Sequence, residues 1–112
     1  MKNYVLKSNF KQDINNFLNL KHSSGYKYTT GQILIEQFDN LCFSKYSNET
    51  TLTKNIALEW AIPRNNESVS SLENRIVIVR EFAKYLNNLG KSAFVIPTSY
   101  IPKKDKYKSY IF

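Results

Sequence analysis

Four stretches of the chain repeat apolar residues at intervals of three and four, the spacing that gathers them on one face of a helix. The first runs from Asn9 to Leu20, where Phe10, Ile14, Phe17 and Leu18 recur and Leu20 is a further candidate. Ser8 or Asn9 can cap its start, and Ser23-Ser24-Gly25 ends it, Gly25 being suited to a left-handed terminal position. The second follows Tyr28-Thr29-Thr30 and carries Ile33, Leu34, Phe38, Leu41 and Cys42 before fading near Tyr46, with Thr29 or Thr30 as its expected cap. The third spans Lys54 to Ala61, capped by Thr53, with Ile56, Ala57 and Trp60 turned inward. Pro63 limits it, because a residue before proline disfavours the helical region.

The fourth pattern, Ser70 to Leu89, is the clearest. Ser70 and Glu73 have capping-box spacing just before an apolar run, and Gly90 closes the segment. With Leu72 as reference, Ile76, Val79, Ala83 and Leu86 all fall within about 40° of it on a helical wheel, and Phe82 lies on the flank. Leu89 extends that face. Asn74 lies on the outer side, and Arg75 sits about 60° from the core axis, where its stem can pack while the guanidinium reaches out.

Beyond Gly90, Ala93-Phe94-Val95-Ile96 followed by Pro97 and Pro102 reads as extended, and Lys103 to Lys108 as a charged tether. The expected organisation is therefore an all-α bundle over residues 1–92 and an extended linker over 93–112. The apolar ending Tyr110-Ile111-Phe112 suggests a chain cut inside a longer protein.

Composition narrows the class. A chain of 112 residues holds about one domain, and 42% hydrophobic with 14% aromatic residues is the make-up of a folded one. Sixteen basic against nine acidic residues leave +7, which suits a polyanionic partner such as DNA, RNA or an anionic membrane. A basic surface that merely aids solubility gives the same figure. Cys42 is the single cysteine and lies in an apolar run, so a buried thiol is expected and no intrachain disulfide can form. No signal-peptide pattern opens the chain, and no run approaches the ~18 apolar residues of a membrane span. A reducing, cytoplasmic setting is expected.

Catalytic chemistry has little to work with. His22 is the lone histidine, expected at the end of the first helix against free carbonyls, and one Cys with one His cannot make an ordinary zinc site. The three glycines are too scattered for a phosphate loop, and no carboxylates cluster for acid–base work. Neither a cofactor nor a catalytic residue is expected, and an autonomous enzyme is not.

The remaining candidates stand at helix starts, where unpaired N–H groups and partial positive charge favour a phosphate. Lys27, Tyr28, Thr29 and Thr30 precede the second helix; Ser70, Ser71, Asn74 and Arg75 open the fourth, and Arg80 is a provisional addition. Hydroxyls contact the DNA backbone, while Asn and Arg can read base edges. The same hydroxyls serve equally well as plain caps. On this reading Arg75→Ala and Lys27→Ala weaken DNA binding and leave thermal unfolding nearly unchanged.

A family resemblance rests on order and spacing. Leu52-Thr53-Lys54, Trp60-Ala61, Ser68, Asn74-Arg75-Ile76, Arg80, Phe82-Ala83, Tyr85-Leu86 and Leu89-Gly90 resemble the N-terminal core-binding domain of tyrosine recombinases, the phage-integrase group. The Gly25-Tyr26-Lys27-Tyr28 turn and the closing Pro97…Pro102-Lys103-Lys104…Phe112 look like that group's first interhelical turn and its linker to a catalytic domain. The resemblance implies a four-helix SAM-like bundle, half of a C-shaped clamp on a double-stranded recombination half-site, whose second and fourth helices face DNA. It also implies a full-length protein that is tetrameric on DNA, with a monomer one open reading of the present stretch alone. His22 is followed by Ser23, Ser24 and Gly25, so the group's catalytic His-x-x-Arg motif is absent and this stretch is expected to bind, not cut. The competing expectation is a helical module whose basic surface meets an acidic protein.

Overall fold

The periodic stretches become α1 (Lys11–Ser23), α2 (Thr29–Lys45), α3 (Lys54–Trp60) and α4 (Val69–Asn88), followed by a 3₁₀ turn at Thr98–Tyr100. The computed structural model describes residues 4–25 and 28–101; among them the fold is all-helical, with no strand.

Helix α1 buries Ile14, Phe17 and Leu18, and Phe10 packs just ahead of it, while Leu20 faces solvent. The Ser8 hydroxyl accepts from the Phe10 N–H at 3.0 Å, and Asn9 instead donates to the Ser47 and Glu49 carbonyls. Gly25 ends the helix at φ +88°, its N–H bonded to the His22 carbonyl. Gly90 does the same for α4 at φ +85°. There the Gly90 N–H reaches the Asn87 carbonyl and the Lys91 N–H reaches Leu86, both at 3.0 Å, closing the pair of bonds of a Schellman end.

The buried residues of α2 are Ile35, Glu36, Phe38, Asp39 and Cys42, a face rotated from the expected one. Ile33 is substantially exposed, and Leu34 and Leu41 are half-buried. The two acids in this stripe disguised it. Asp39 is fully buried because the N-terminal segment lies against it: the Tyr4 hydroxyl and the Lys7 and Ser8 N–H groups all donate to its carboxylate, at 2.6, 2.9 and 3.0 Å. Burial pushes the Cys42 thiol up to about 12, in keeping with an inert core residue.

Two caps differ in outcome. Thr53 caps α3 as expected, its hydroxyl accepting from the Ile56 N–H at 3.3 Å. For α4 the cap is Ser68, not Ser70: extended Ser68 accepts from the Ser71 N–H at 3.1 Å, which leaves Ser70 in the first turn. Phe82, expected on the flank, is fully buried, whereas Leu89 is the C-cap and half exposed.

The core is aromatic where α1, α2 and α4 meet. Phe17 lies 5.4 Å from both Phe82 and Tyr85, and Phe38 lies 5.4 Å from Trp60 and 6.3 Å from Phe82, measured between ring centres. Most of these pairs meet edge to face or tilted, which the ring quadrupoles favour.

Residues 93–101 also belong to this packed unit. The Phe94 N–H donates to the Leu52 carbonyl at 2.9 Å, in an isolated parallel bridge between Leu52 and Ala93. The Asn87 side chain holds both the N–H and the carbonyl of Ala93, each at 3.0 Å. Ile96 is 0% exposed, so the division expected after residue 92 falls inside the core. The rest of the expected linker, 102–112, lies outside the described residues.

Candidate nucleic-acid interface

The start of α2 carries no side-chain cap. Tyr28 occupies the N-cap position with no capping bond, Thr29 and Thr30 are the first helical residues and exposed, and no acid stands in the first turn. The threonines expected to cap this helix are therefore inside it, and its leading N–H groups keep their partial charge. Tyr28 itself turns inward. Its ring meets Phe17 edge-on at 6.3 Å and covers Gly31, where an added Cβ would lie 2.5 Å from the ring. Its hydroxyl is buried with no hydrogen-bond partner among the described residues, and burial raises its pKa well above the usual phenol value. Tyr28 is thus a packing residue rather than a presented contact. Lys27 lies outside the described residues.

At the start of α4, Ser70, Ser71 and Asn74 are exposed, again with no acid in the first turn. Arg75 departs from expectation. It is 2% exposed and points into the protein, not outward. Its Nε donates to Glu67 Oε2 at 2.6 Å, and its Nη2 donates to Glu67 Oε1 and the Ile62 carbonyl, both at 2.9 Å. Nη1 donates to the Trp60 carbonyl, and the guanidinium lies 5.1 Å from the centre of the Trp60 ring. These bonds clamp the 61–67 loop to α4. They also hold the Glu67 carboxyl down at about 2, the Arg75 hydrogen bond being the main cause. A guanidinium so engaged has no fork left for DNA. Arg80 is also committed, its Nη1 donating to the Ile96 carbonyl and so tying the C-terminal segment to α4.

The two helix starts stand apart. Tyr28 shares the aromatic cluster with Phe17 and Tyr85, and Lys21 beside it pairs with Glu81 at 3.3 Å. Thr29 and Thr30 therefore sit towards residues 81–85 of α4. Ser70 lies fifteen positions before Tyr85, about 22 Å along a helix. His22, expected to serve the helix-end carbonyls, instead faces Gln32, its Nε2 lying 3.1 Å from Gln32 Oε1.

Charge is unevenly placed. Ten of the sixteen basic and eight of the nine acidic residues are among those described, leaving +2 there; Lys2, Lys27 and the 103–108 run hold the other +5. Within the bundle, Lys21, Lys45, Arg75 and Lys91 pair with Glu81, Glu59, Glu67 and Asp13. Sequence reasoning passed over Arg64, which is exposed and lies on the Trp60 ring, 5.3 Å from its centre, with Nη1 donating to Gln37 Oε1 at 3.2 Å. It borders a groove of about 840 Å³ lined by Glu36, Gln37, Asn40 and Ser44 of α2 with Glu59, Ile62 and Pro63. The only sequence signal for it is an arginine directly after Pro63.

No family model, curated protein or solved structure matches the chain. Among the described residues, no helix is long and apolar enough to cross a membrane.

Proposed function

We propose that the chain is a double-stranded-DNA-binding module equivalent to the core-binding domain of a tyrosine recombinase, a SAM-like bundle that grips a recombination half-site without itself cutting it. The observation that carries this reading is the start of α2, uncapped and free of acid, with the Thr29 and Thr30 hydroxyls exposed beside it. A helix start of this kind stabilises a phosphate through its N–H groups and its dipole. The net charge of +7 supplies the sequence-independent attraction that such a contact needs. The exposed Ser70, Ser71 and Asn74 give a second polar helix start for the same duplex. In this reading the protein works in the cytoplasm, on DNA, as part of a tetramer.

The experiment is a fluorescence-anisotropy titration of a labelled duplex with the protein and with a Thr29→Val/Thr30→Val double variant. The variant is expected to bind more weakly at unchanged melting temperature. Equal affinity for the two proteins would remove the α2 start from the interface.

A further inference from the structure

Arg64 is held in a defined pose while the carboxylate that acts on it, Glu67, is engaged by Arg75. Lys21, Lys45, Arg75 and Lys91 are in ion pairs, and Arg80 is bonded to a backbone carbonyl. Lys11, Lys54 and Lys84 are exposed ends of flexible stems, which lose rotamer freedom on every contact they make, and the exposed Lys7 rests over the Tyr4 and Phe43 rings. Arg64 has lost most of that freedom already. Its guanidinium lies against the indole of Trp60, its Nη1 is fixed by the neutral Gln37 amide, and the carboxylate that acts on it, Glu67, is already paired with Arg75.

The loop beneath it is held by a set of hydrogen bonds. Arg75 binds the Trp60 and Ile62 carbonyls, and Glu67 accepts from both Arg75 and the Arg64 N–H, at 2.9 Å for the latter. Asn66 completes the turn at φ +61°. Trp60 is in turn fixed by its own Nε1–H bond to the Arg75 carbonyl at 2.7 Å. Trp60 thus has one guanidinium on it from the protein side and another exposed to solvent. Burial and the neighbouring Arg75 charge lower the Arg64 pKa, with Glu67 opposing them, so an anion arriving at Arg64 would add to the relief that Glu67 gives.

We propose that Arg64, laid on Trp60 and held by Gln37, is a DNA phosphate-contact residue, with the duplex backbone running past the mouth of the groove beside Gln37, Asn40 and Ser44. A planar guanidinium with outward N–H groups matches a phosphate better than a lysine does. The amides and hydroxyl on α2 add donors for the adjoining backbone. This rests on the DNA-binding reading above but not on the α2 start.

Trp60 is the single tryptophan of the chain, so its emission reports this position alone. A labelled duplex is titrated by anisotropy at several salt concentrations while tryptophan emission is followed, for the protein, Arg64→Ala and Arg64→Lys. The expected result is an emission change on duplex binding that Arg64→Ala lacks. A slope of log affinity against log salt lower by about 1 for Arg64→Ala than for the protein, and kept in Arg64→Lys, completes it. Duplex binding with full slope and affinity in Arg64→Ala overturns the role of Arg64 while leaving the DNA-binding reading intact. No duplex binding by the protein itself overturns both. A drop in the melting temperature of Arg64→Ala as large as that of Arg75→Ala would mark Arg64 as structural and count against the proposal.

Discussion

Trp60 and Arg75 hold each other twice: the indole N–H donates to the Arg75 carbonyl, and the Arg75 guanidinium donates back to the Trp60 carbonyl. This reciprocal pair, with Glu67, locks α3, the 61–67 loop and the first turns of α4 into one piece. It also turns a residue expected on DNA into a structural one.

Removing the Arg75 side chain leaves Glu67 a buried carboxylate without its partner and frees two backbone carbonyls. Breaking a buried pair in this way costs about 3–5 kcal/mol. Arg75→Ala is therefore expected to behave like a core truncation in denaturant unfolding. A loss under about 1 kcal/mol, the scale of an exposed pair, would mean the clamp is not formed in solution.

The same pair sets an acid limit. Glu67 is held at about 2 in the folded protein, below its ordinary 4.5. A depressed folded value means its contribution is complete above about 4.5 and is lost as pH falls toward 2. The stability difference between the protein and Glu67→Gln is expected to be constant at neutral pH and to shrink across that acid window. A difference that stays flat down to the lowest accessible pH would contradict the assignment.

Leu86→Ala and Ile96→Ala test the core from two sides. Both residues are buried, one on α4 and one in the segment after it. Each truncation is expected to cost ~2–5 kcal/mol by leaving a cavity. Ile96 is the more informative. If Ile96→Ala proves silent while Leu86→Ala does not, residues 93–101 are a tether after all.

How much of this was legible follows from the range of each signal. The four helices, the Thr53 cap and the two glycine ends are written within a few neighbouring residues, and the sequence pattern places them closely. The Ser68 cap was missed because Ser70 with Glu73 has the same spacing as Ser68 with Ser71, and spacing alone does not choose. Arg75 read as a boundary residue because its partners, at positions 60, 62 and 67, lie across a loop that periodicity does not describe. Asp39 broke the apolar stripe of α2 for the same reason: its three donors come from residues 4, 7 and 8. Local pattern carried the elements. The long-range polar bonds that decide which charged residues face inward were not in it.

The net charge shifted in meaning too. As a whole-chain figure, +7 suggested a basic bundle, yet the described bundle holds only +2 of it and four of its ten cations are in ion pairs. The basic run at 103–108 therefore contributes strongly to any attraction for a polyanion. Replacing Lys103, Lys104, Lys106 and Lys108 by Gln is expected to weaken duplex binding at low salt and to flatten its salt dependence, without removing the emission change at Trp60. Loss of that emission change in the tail variant would place the contact in the tail instead.

The most direct measurement for the DNA-binding reading is the affinity of the unmodified protein for a short labelled duplex as salt is raised from about 50 to 200 mM, the range over which phosphate contacts show themselves. Binding is expected at the low end, falling linearly on logarithmic axes with a slope of several units. No duplex binding even at the lowest salt, alongside binding to an acidic polypeptide, would contradict it and leave a helical module for acidic proteins in its place.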